Sequence, residues 1–334
     1  MTHLLTITNQ TRCTIEALPP VHVSSSLQAA VRKGLTARHK WLPPFLLYDR
    51  NGSNLFEEIC RLPEYYLTRT EYGILSSHAL EMVTHCRRDL DLVELGSGSS
   101  AKTRILLDTL FASGRQPIYR PIDISGNMLR STAQSLLAEY PDLSIRAIVS
   151  DYDRGLLETG RRQRRQKVFL FLGSNLGNFT REESLAFLSA VRGGMAADDL
   201  FLLGVDLVKP LDVLLPAYDD TAGVTAAFNR NLLRRLNREL GADFRPERYR
   251  HVVRWNRAAK AVEMHLVSIG EQTVRLPAID LEVLIRNGES IHTESSHKYS
   301  PTSLAALCAE AGLIVADSWN DPRNWFALSL IKPG

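Results

Sequence analysis

From about residue 70 to residue 206, short apolar runs alternate with stretches whose apolar positions recur at helical spacing. Such alternation is the pattern of βαβ units, and so of a mostly parallel sheet with helices on its faces. It predicts strands over Leu90–Glu94, Ile118–Ile122, Ser144–Val149, Lys167–Leu172 and Leu200–Val205. Thr68 with Glu71, and Thr180 with Glu183, each have capping-box spacing and predict helix starts near Arg69 and Arg181.

After Val205 the alternation stops for about a hundred residues. A helix start at Ser300-Pro301 and the terminal runs LIVADSW and NWFALSLIK then resume it, so the extreme C-terminus is expected to finish the sheet. The interval holds an amphipathic helix, AAFNRNLLRRLNREL, and the strand-like stretches HVVRW, AVEMHLVSI and QTVRLPAIDLEVLI. Those stretches predict an antiparallel sheet, an inserted module suited to holding a substrate. The first 60 residues have no expected place in the parallel sheet and are assigned beside the insert. The fold class is therefore α/β: a Rossmann-like, seven-stranded sheet over 66–208 plus 298–334, with a second α+β substrate domain over 15–65 plus 209–297.

Composition narrows the picture further. At 334 residues, 44% hydrophobic and 23% charged, the chain is an ordinary globular one. Its apolar runs reach only strand length, short of the roughly 20 residues of a bilayer span, so no membrane association is expected. No secretory signal pattern opens the sequence, and a cytoplasmic location is expected. Cys13, Cys60, Cys86 and Cys308 are scattered without a CxxC pair, which reads as reduced thiols and no metal site. A net charge of +3 offers no field for a polyanion. The local basic run Arg161, Arg162, Arg164, Arg165 and Lys167 lacks interleaved aromatics and reads as a solvated loop and not a nucleic-acid contact.

The chemistry gathers at the ends of the predicted strands. Gly96-Ser97-Gly98-Ser99-Ser100-Ala101 follows the first strand and precedes a helix, so its backbone amides can approach a ligand at a helix N-terminus. The turn fits a nicotinamide or flavin enzyme as well as an S-adenosylmethionine enzyme. Asp123, ending the second strand, can accept hydrogen bonds from ribose hydroxyls, or can cap a helix. Asp151-Tyr152, ending the third, can offer a carboxylate to an adenine amino group and a ring to its face, which favours adenosylmethionine over a dinucleotide. Lys102 can reach the cofactor's carboxylate as a point charge. GSNLGNFT puts further polar groups at the same sheet edge, and Met264 either lines the pocket or fills core.

Taken together, YDRNGSNLFEEICRLPEYYLTRTE, VELGSGSSAKTRILLD, FLGSNLGNFT, AYDDTAGVTAAFNRN, VEMHL and TESSHKY resemble the histidine Nα-methyltransferases of ergothioneine biosynthesis. The resemblance runs from about Lys40 to the C-terminus. It implies trimethylation of the α-amine of free L-histidine to hercynine, with S-adenosylmethionine as donor, S-adenosylhomocysteine as product and no metal. It implies cofactor contacts at Tyr48, Gly96, Lys102, Asp123, Asp151 and Tyr152. It further implies that Tyr65, Asn178 and Tyr218 hold the α-carboxylate and amine while Glu294 and Ser296 hold the imidazole. Phenol and amide donors suit a carboxylate without adding a charge that would oppose the sulfonium. The alternatives are a sister enzyme acting on tryptophan or a modified histidine, a nicotinamide-dependent oxidoreductase and an RNA-associated binding module.

Methyl transfer from a sulfonium is an in-line displacement, so positioning is the main expected catalytic contribution. An α-amine of pKa about 8 must first lose a proton, to bulk water before binding or to a base that the sequence does not identify, for which Tyr48, through a water, is the candidate. His297 stands near Glu294 in sequence as a further titrating group or a surface residue. A monomer with a small-molecule substrate is expected.

Overall fold

The computed structural model describes residues 4–5, 12–18, 27–160 and 165–334. The first elements are β1 (Leu4–Leu5), β2 (Cys13–Ala17), α1 (Leu27–Thr36), β3 (Lys40–Trp41), α2 (Arg50–Ile59) and α3 (Tyr66–Thr84). Strand and helix then alternate through β4 (Asp89–Leu95), α4 (Thr103–Ala112), β5 (Gln116–Asp123), α5 (Gly126–Glu139) and β6 (Ser144–Val149). The alternation continues with α6 (Tyr152–Gly160), β7 (Gln166–Phe171), α7 (Arg181–Gly194) and β8 (Leu200–Asp206). All five strands predicted for this stretch form within a residue or two of their expected ends. Apolar runs such as VFLF and LFLL, buried on both faces, are stable only inside a covered parallel sheet.

Beyond β8 come α8 (Leu211–Leu214), α9 (Val224–Leu240), β9 (Tyr249–Asn256), β10 (Ala261–Ser268), β11 (Gln272–Leu276), β12 (Leu281–Ile285) and β13 (Ser290–His297). The chain closes with α10 (Pro301–Glu310), β14 (Leu313–Asn320) and β15 (Phe326–Pro333). Among the described residues the large sheet has nine strands in the order β1-β2-β6-β5-β4-β7-β8-β15-β14. Its last seven, from β6 to β14, make the seven-stranded sheet expected from the sequence, with β15 antiparallel to both β8 and β14. The order reverses at β4, which has β5 on one side and β7 on the other, and ligands of open α/β sheets bind outside the carboxyl ends at such a point.

The first two strands correct an expectation. Cys13–Ala17 pairs in parallel with β6, so part of the N-terminal segment belongs to the large sheet. Its alternating burial, with Cys13 and Ile15 inward, is the period-2 pattern of a strand buried on one face, and β1 flanks it on the side away from β6.

A second sheet has the order β3-β13-β10-β9, and β11 with β12 forms a separate hairpin. Lys40 and Trp41 of β3 join β13, and α9 covers the assembly with Phe228, Leu232, Leu233 and Leu236 facing inward. Each such side chain, fully buried, contributes roughly 1.5–3 kcal/mol. Helix α2 is fastened to α9 through Asp49, whose carboxylate caps Gly52 N–H at 2.7 Å and accepts from Asn231 at 2.7 Å and Arg238 at 2.6 Å. No helix among the described residues is long and apolar enough to cross a membrane.

The predicted capping box at Thr180–Glu183 is present, as is the start at Ser300-Pro301. The box at Thr68–Glu71 is not: α3 begins at Tyr66, and Glu71 lies one turn inside, fully buried. Its carboxylate has a different partner set, described below. Of the basic run, residues 161–164 lie outside the described residues. Arg165 is bound to Asp91 Oδ1 at 3.0 Å and to the carbonyls of Leu90 and Gln116, and Lys167 to Asp199 and the Gly194 carbonyl.

Candidate functional site

The loop after β4 is built on two glycines in left-handed backbone, Gly96 at φ 72° and Gly98 at φ 47°. A Cβ at Gly96 would lie 2.7 Å from Tyr152 Oη, while one at Gly98 would meet nothing within 4 Å. One glycine is therefore required by a close neighbour, and the other faces open space where a ligand's backbone contact fits. Buried Ser97 shapes the turn, its carbonyl accepting Ser100 N–H at 2.9 Å.

Asp123 ends β5 with one oxygen accepting Gly98 N–H at 3.2 Å and the other Ser125 N–H at 2.8 Å. Burial raises its pKa, and those two N–H groups with that of Ile124 pull it back. The cap of α5 is Ser125, which accepts Met128 N–H, so the capping alternative for Asp123 falls away. Asp151 Oδ1 accepts Arg154 N–H at 2.8 Å in the first turn of α6. Tyr152 differs from expectation: its ring is packed edge-on against Phe171 at 5.4 Å and Phe187 at 5.9 Å, and it presents its hydroxyl to the glycine turn.

Lys102 is neither free nor a plain surface lysine, because its ammonium is paired with the buried carboxylate of Glu71. Both Glu71 oxygens also accept Gly173 N–H at 2.9 Å, at the carboxyl end of β7. Glu71 therefore ties α3, α4 and the β7 edge together, a role that its helical position in sequence concealed. Glu94, beneath the turn, is bonded to Tyr119 and Thr103, and burial pushes its pKa up to about 7.

Gly173, Ser174 and Asn175 connect this edge to a cleft. Tyr48, Tyr65, Asn178, Tyr218, Met264, Glu294 and Ser296, all chosen from sequence, line it together. The described lining includes no lysine or arginine. Glu294 and Ser296 are two apart on β13 and so share a face. Met264 is the cross-strand partner of Glu294 and is 2% exposed. Asn178 closes the turn after β7 and is brought to β13 by a zipper of short contacts. His297 Nδ1 donates to Gly177 carbonyl at 2.9 Å, and a Cβ on Gly177 would lie 2.8 Å from the His297 carbonyl. His297 thus lies on the strand face opposite Glu294 and holds the turn from outside the cleft.

The aromatic wall is contiguous: Tyr48 meets Phe56 and Phe228 at 5.6 and 5.5 Å, Phe56 meets Tyr65 at 6.2 Å, and Tyr65 meets Tyr218 at 6.4 Å. The faces of such rings accommodate a cationic methylated nitrogen. Burial, with help from Glu294, pushes the Tyr48 phenol well above its ordinary value. At neutral pH Tyr48 is therefore a hydroxyl and not a phenolate base, which removes the expected route for it as a standing base. Burial also raises Glu294, to about 7, against the opposing pull of Lys298. Tyr218 Oη donates to Ser296 Oγ at 2.7 Å, so its hydrogen is directed at Ser296 and not at a substrate carboxylate.

Sequence reasoning missed the layer beneath these residues. Lys298 donates to Tyr218 Oη and Ser296 Oγ, each at 2.7 Å, and pairs with Asp206 at 2.8 Å. Asp206 also receives Lys209 at 2.5 Å and Tyr66 Oη at 2.7 Å. The visible signal was a lysine two positions after Ser296 in an alternating strand.

The family of histidine-specific, SAM-dependent methyltransferases matches residues 27–333. The chain is 45% identical over 305 residues to the histidine N-alpha-methyltransferase of Mycobacterium tuberculosis, covering 91% of this chain and 94% of that protein. It is likewise 45% identical over 307 residues to the enzyme of the same name from Mycolicibacterium smegmatis, covering 92% and 95%. Ergothioneine biosynthesis protein 1 of Neurospora crassa is 32% identical over 283 residues, 83% of this chain and 32% of that larger protein.

Proposed function

The chain belongs to the histidine-specific, SAM-dependent methyltransferases, and from that premise we propose that it transfers three methyl groups to the α-amino nitrogen of free L-histidine, giving hercynine in the first step of ergothioneine biosynthesis. The observation that carries the proposal is the cleft itself: a buried carboxylate and a hydroxyl on one strand face, opposite phenol and amide groups, beside the glycine turn. Glu294 accepts an imidazole N–H, and Ser296 meets the second ring nitrogen. Tyr65 and Asn178 face the α-carboxylate and amine, with Tyr218 closing that side. A site that hydrogen-bonds the ring rejects apolar isosteres strongly, which favours histidine over tryptophan.

The residues at the sheet edge fit the cofactor. Gly96 and Gly98 allow close backbone approach, Asp123 would offer a buried carboxylate to the ribose, Asp151 would meet the adenine amino group while Tyr152 backs the glycine turn through its hydroxyl, and Lys102, held by Glu71, would meet the amino-acid end. When bound, S-adenosylmethionine supplies the methyl group as a sulfonium. The chain's own part is to hold the amine lone pair in line, keep water out with Phe56, Phe228 and Met264, and receive the growing cation on rings. The quaternary product has no lone pair, so methylation stops without a counting device. Because all these groups come from one chain, we also propose that the monomer is active. Incubation with S-adenosylmethionine and each of the twenty amino acids tests the reading: histidine alone gains one to three methyls, and methylation of another amino acid instead overturns it.

A further inference from the structure

The mechanism above uses Ser296 and Tyr218 but not the ammonium beneath them. Lys298 is fully buried, as is its partner Asp206. An ammonium has three hydrogens to donate, and here all three have acceptors: Asp206 Oδ2, Tyr218 Oη and Ser296 Oγ. Burial alone would lower the Lys298 pKa, but the Asp206 carboxylate and Tyr218 raise it on balance, so the group stays charged. Tyr66 donates to the same Asp206 oxygen, Oδ2, and Lys209 binds the other, Oδ1, with Lys209 Nζ 2.8 Å from Tyr66 Oη.

This arrangement decides where the hydroxyl hydrogens point. Each hydroxyl has one hydrogen to give. Both receive a hydrogen from Lys298, and Tyr218 spends its own on Ser296. Ser296 then accepts twice, and its single hydrogen is the one left for the cleft. Next to it on the same strand face stands Glu294, a carboxylate with only acceptors once ionised.

We propose that Lys298 is a positioning and specificity-determining residue, which fixes Ser296 as a donor so that the Ser296–Glu294 pair reads a neutral imidazole: one ring nitrogen with a lone pair, the other with a hydrogen. The inference rests on the histidine-methylating reading and deepens it. Without the ammonium, Ser296 and Tyr218 regain free acceptor sites and can rotate, and the cleft loses its preference for a ring that both accepts and donates. Lys298 touches no substrate atom in this account and acts through the two hydroxyls.

The test compares histidine with the two pyrrolylalanine isomers, which keep a ring N–H but replace the other nitrogen by C–H. The enzyme should use the better isomer about tenfold or more below histidine in kcat/KM, and Ser296→Ala should close that gap. Lys298→Met should raise KM for histidine by about tenfold while kcat changes less, with S-adenosylhomocysteine affinity retained as the check on folding. In a Ser296→Ala background the Lys298→Met effect should largely vanish, because both changes remove one interaction. Equal use of histidine and a pyrrolylalanine by the wild type overturns the inference, and so does a Lys298→Met effect undiminished by Ser296→Ala. Should Lys298→Met fail to bind S-adenosylhomocysteine, the analogue comparison in wild type and Ser296→Ala decides by itself. Absence of any histidine turnover by the wild type would instead overturn the underlying reading.

Discussion

The amide nitrogen of Asn178 stands 3.4 Å from Glu294 Oε1, although one residue closes a turn after the large sheet and the other lies on a strand of the second sheet. That contact marks where the two sheets meet. The long distance leaves Glu294 weakly satisfied in a buried place, as expected of a group kept for a ligand. Glu294→Ala should therefore raise KM for histidine by roughly 10–100-fold, as for loss of a hydrogen bond to a charged group. Calorimetry with S-adenosylhomocysteine should show unaltered affinity. Unchanged histidine turnover would remove Glu294 from the pocket.

The same residue gives a pH dependence with a definite sign. Its folded pKa is raised from 4.5 to about 7 by burial, so it is largely neutral below that value and an acceptor above it. KM for histidine should fall as pH rises through about 7, and Glu294→Gln should abolish that limb. Stability moves the other way. The folded state holds the proton more tightly, so the contribution of Glu294 is present below about 4.5 and is lost as pH rises to about 7. The melting temperature of the ligand-free wild type, compared with Glu294→Gln across that window, measures it and separates it from Glu94, which shares the range.

At the cofactor edge, Asp123→Ala should weaken S-adenosylhomocysteine binding by about tenfold or more, since a buried carboxylate facing hydroxyls is lost. Gly96→Ala should do the same for a steric reason, with its added methyl against Tyr152 and its backbone in left-handed φ. Calorimetric affinities equal to wild type in either variant would take that residue out of the site.

Gly204 tests the buried anchor. A Cβ at this position in β8 would lie 2.2 Å from Glu71 Oε1, the carboxylate that holds Lys102 and Gly173. Gly204→Ala should destabilise the fold by about 1–3 kcal/mol, as for overpacking, and urea unfolding reads it. An unshifted midpoint would mean that Glu71 is free to move away, and that it does not anchor Lys102.

The seven-stranded sheet was legible because its signals are local. Buried parallel strands are continuous apolar runs, helices carry caps at fixed offsets, and the glycine turn must follow a strand and open a helix. The cleft residues were legible only through the family resemblance, since Tyr65 or Glu294 alone looks like any packing aromatic or strand-end charge. One local signal misled: Thr68 and Glu71 had capping spacing, but Glu71 is turned inward by Lys102 and Gly173. Cys13–Ala17 is too short and too far from β6 for any local pattern to announce its pairing.

By itself, then, the amino-acid order determined which segments become strands and helices and which loop can receive a nucleotide-like cofactor, because those choices depend on neighbours within a few positions. Only the tertiary structure decided that Glu71 anchors Lys102, that Tyr218 gives its hydrogen to Ser296, and that Lys298 is driven beneath both. Hydrogen-bond partners of buried charges are chosen by distance through space, between residues far apart in the chain, and no spacing rule carries that information.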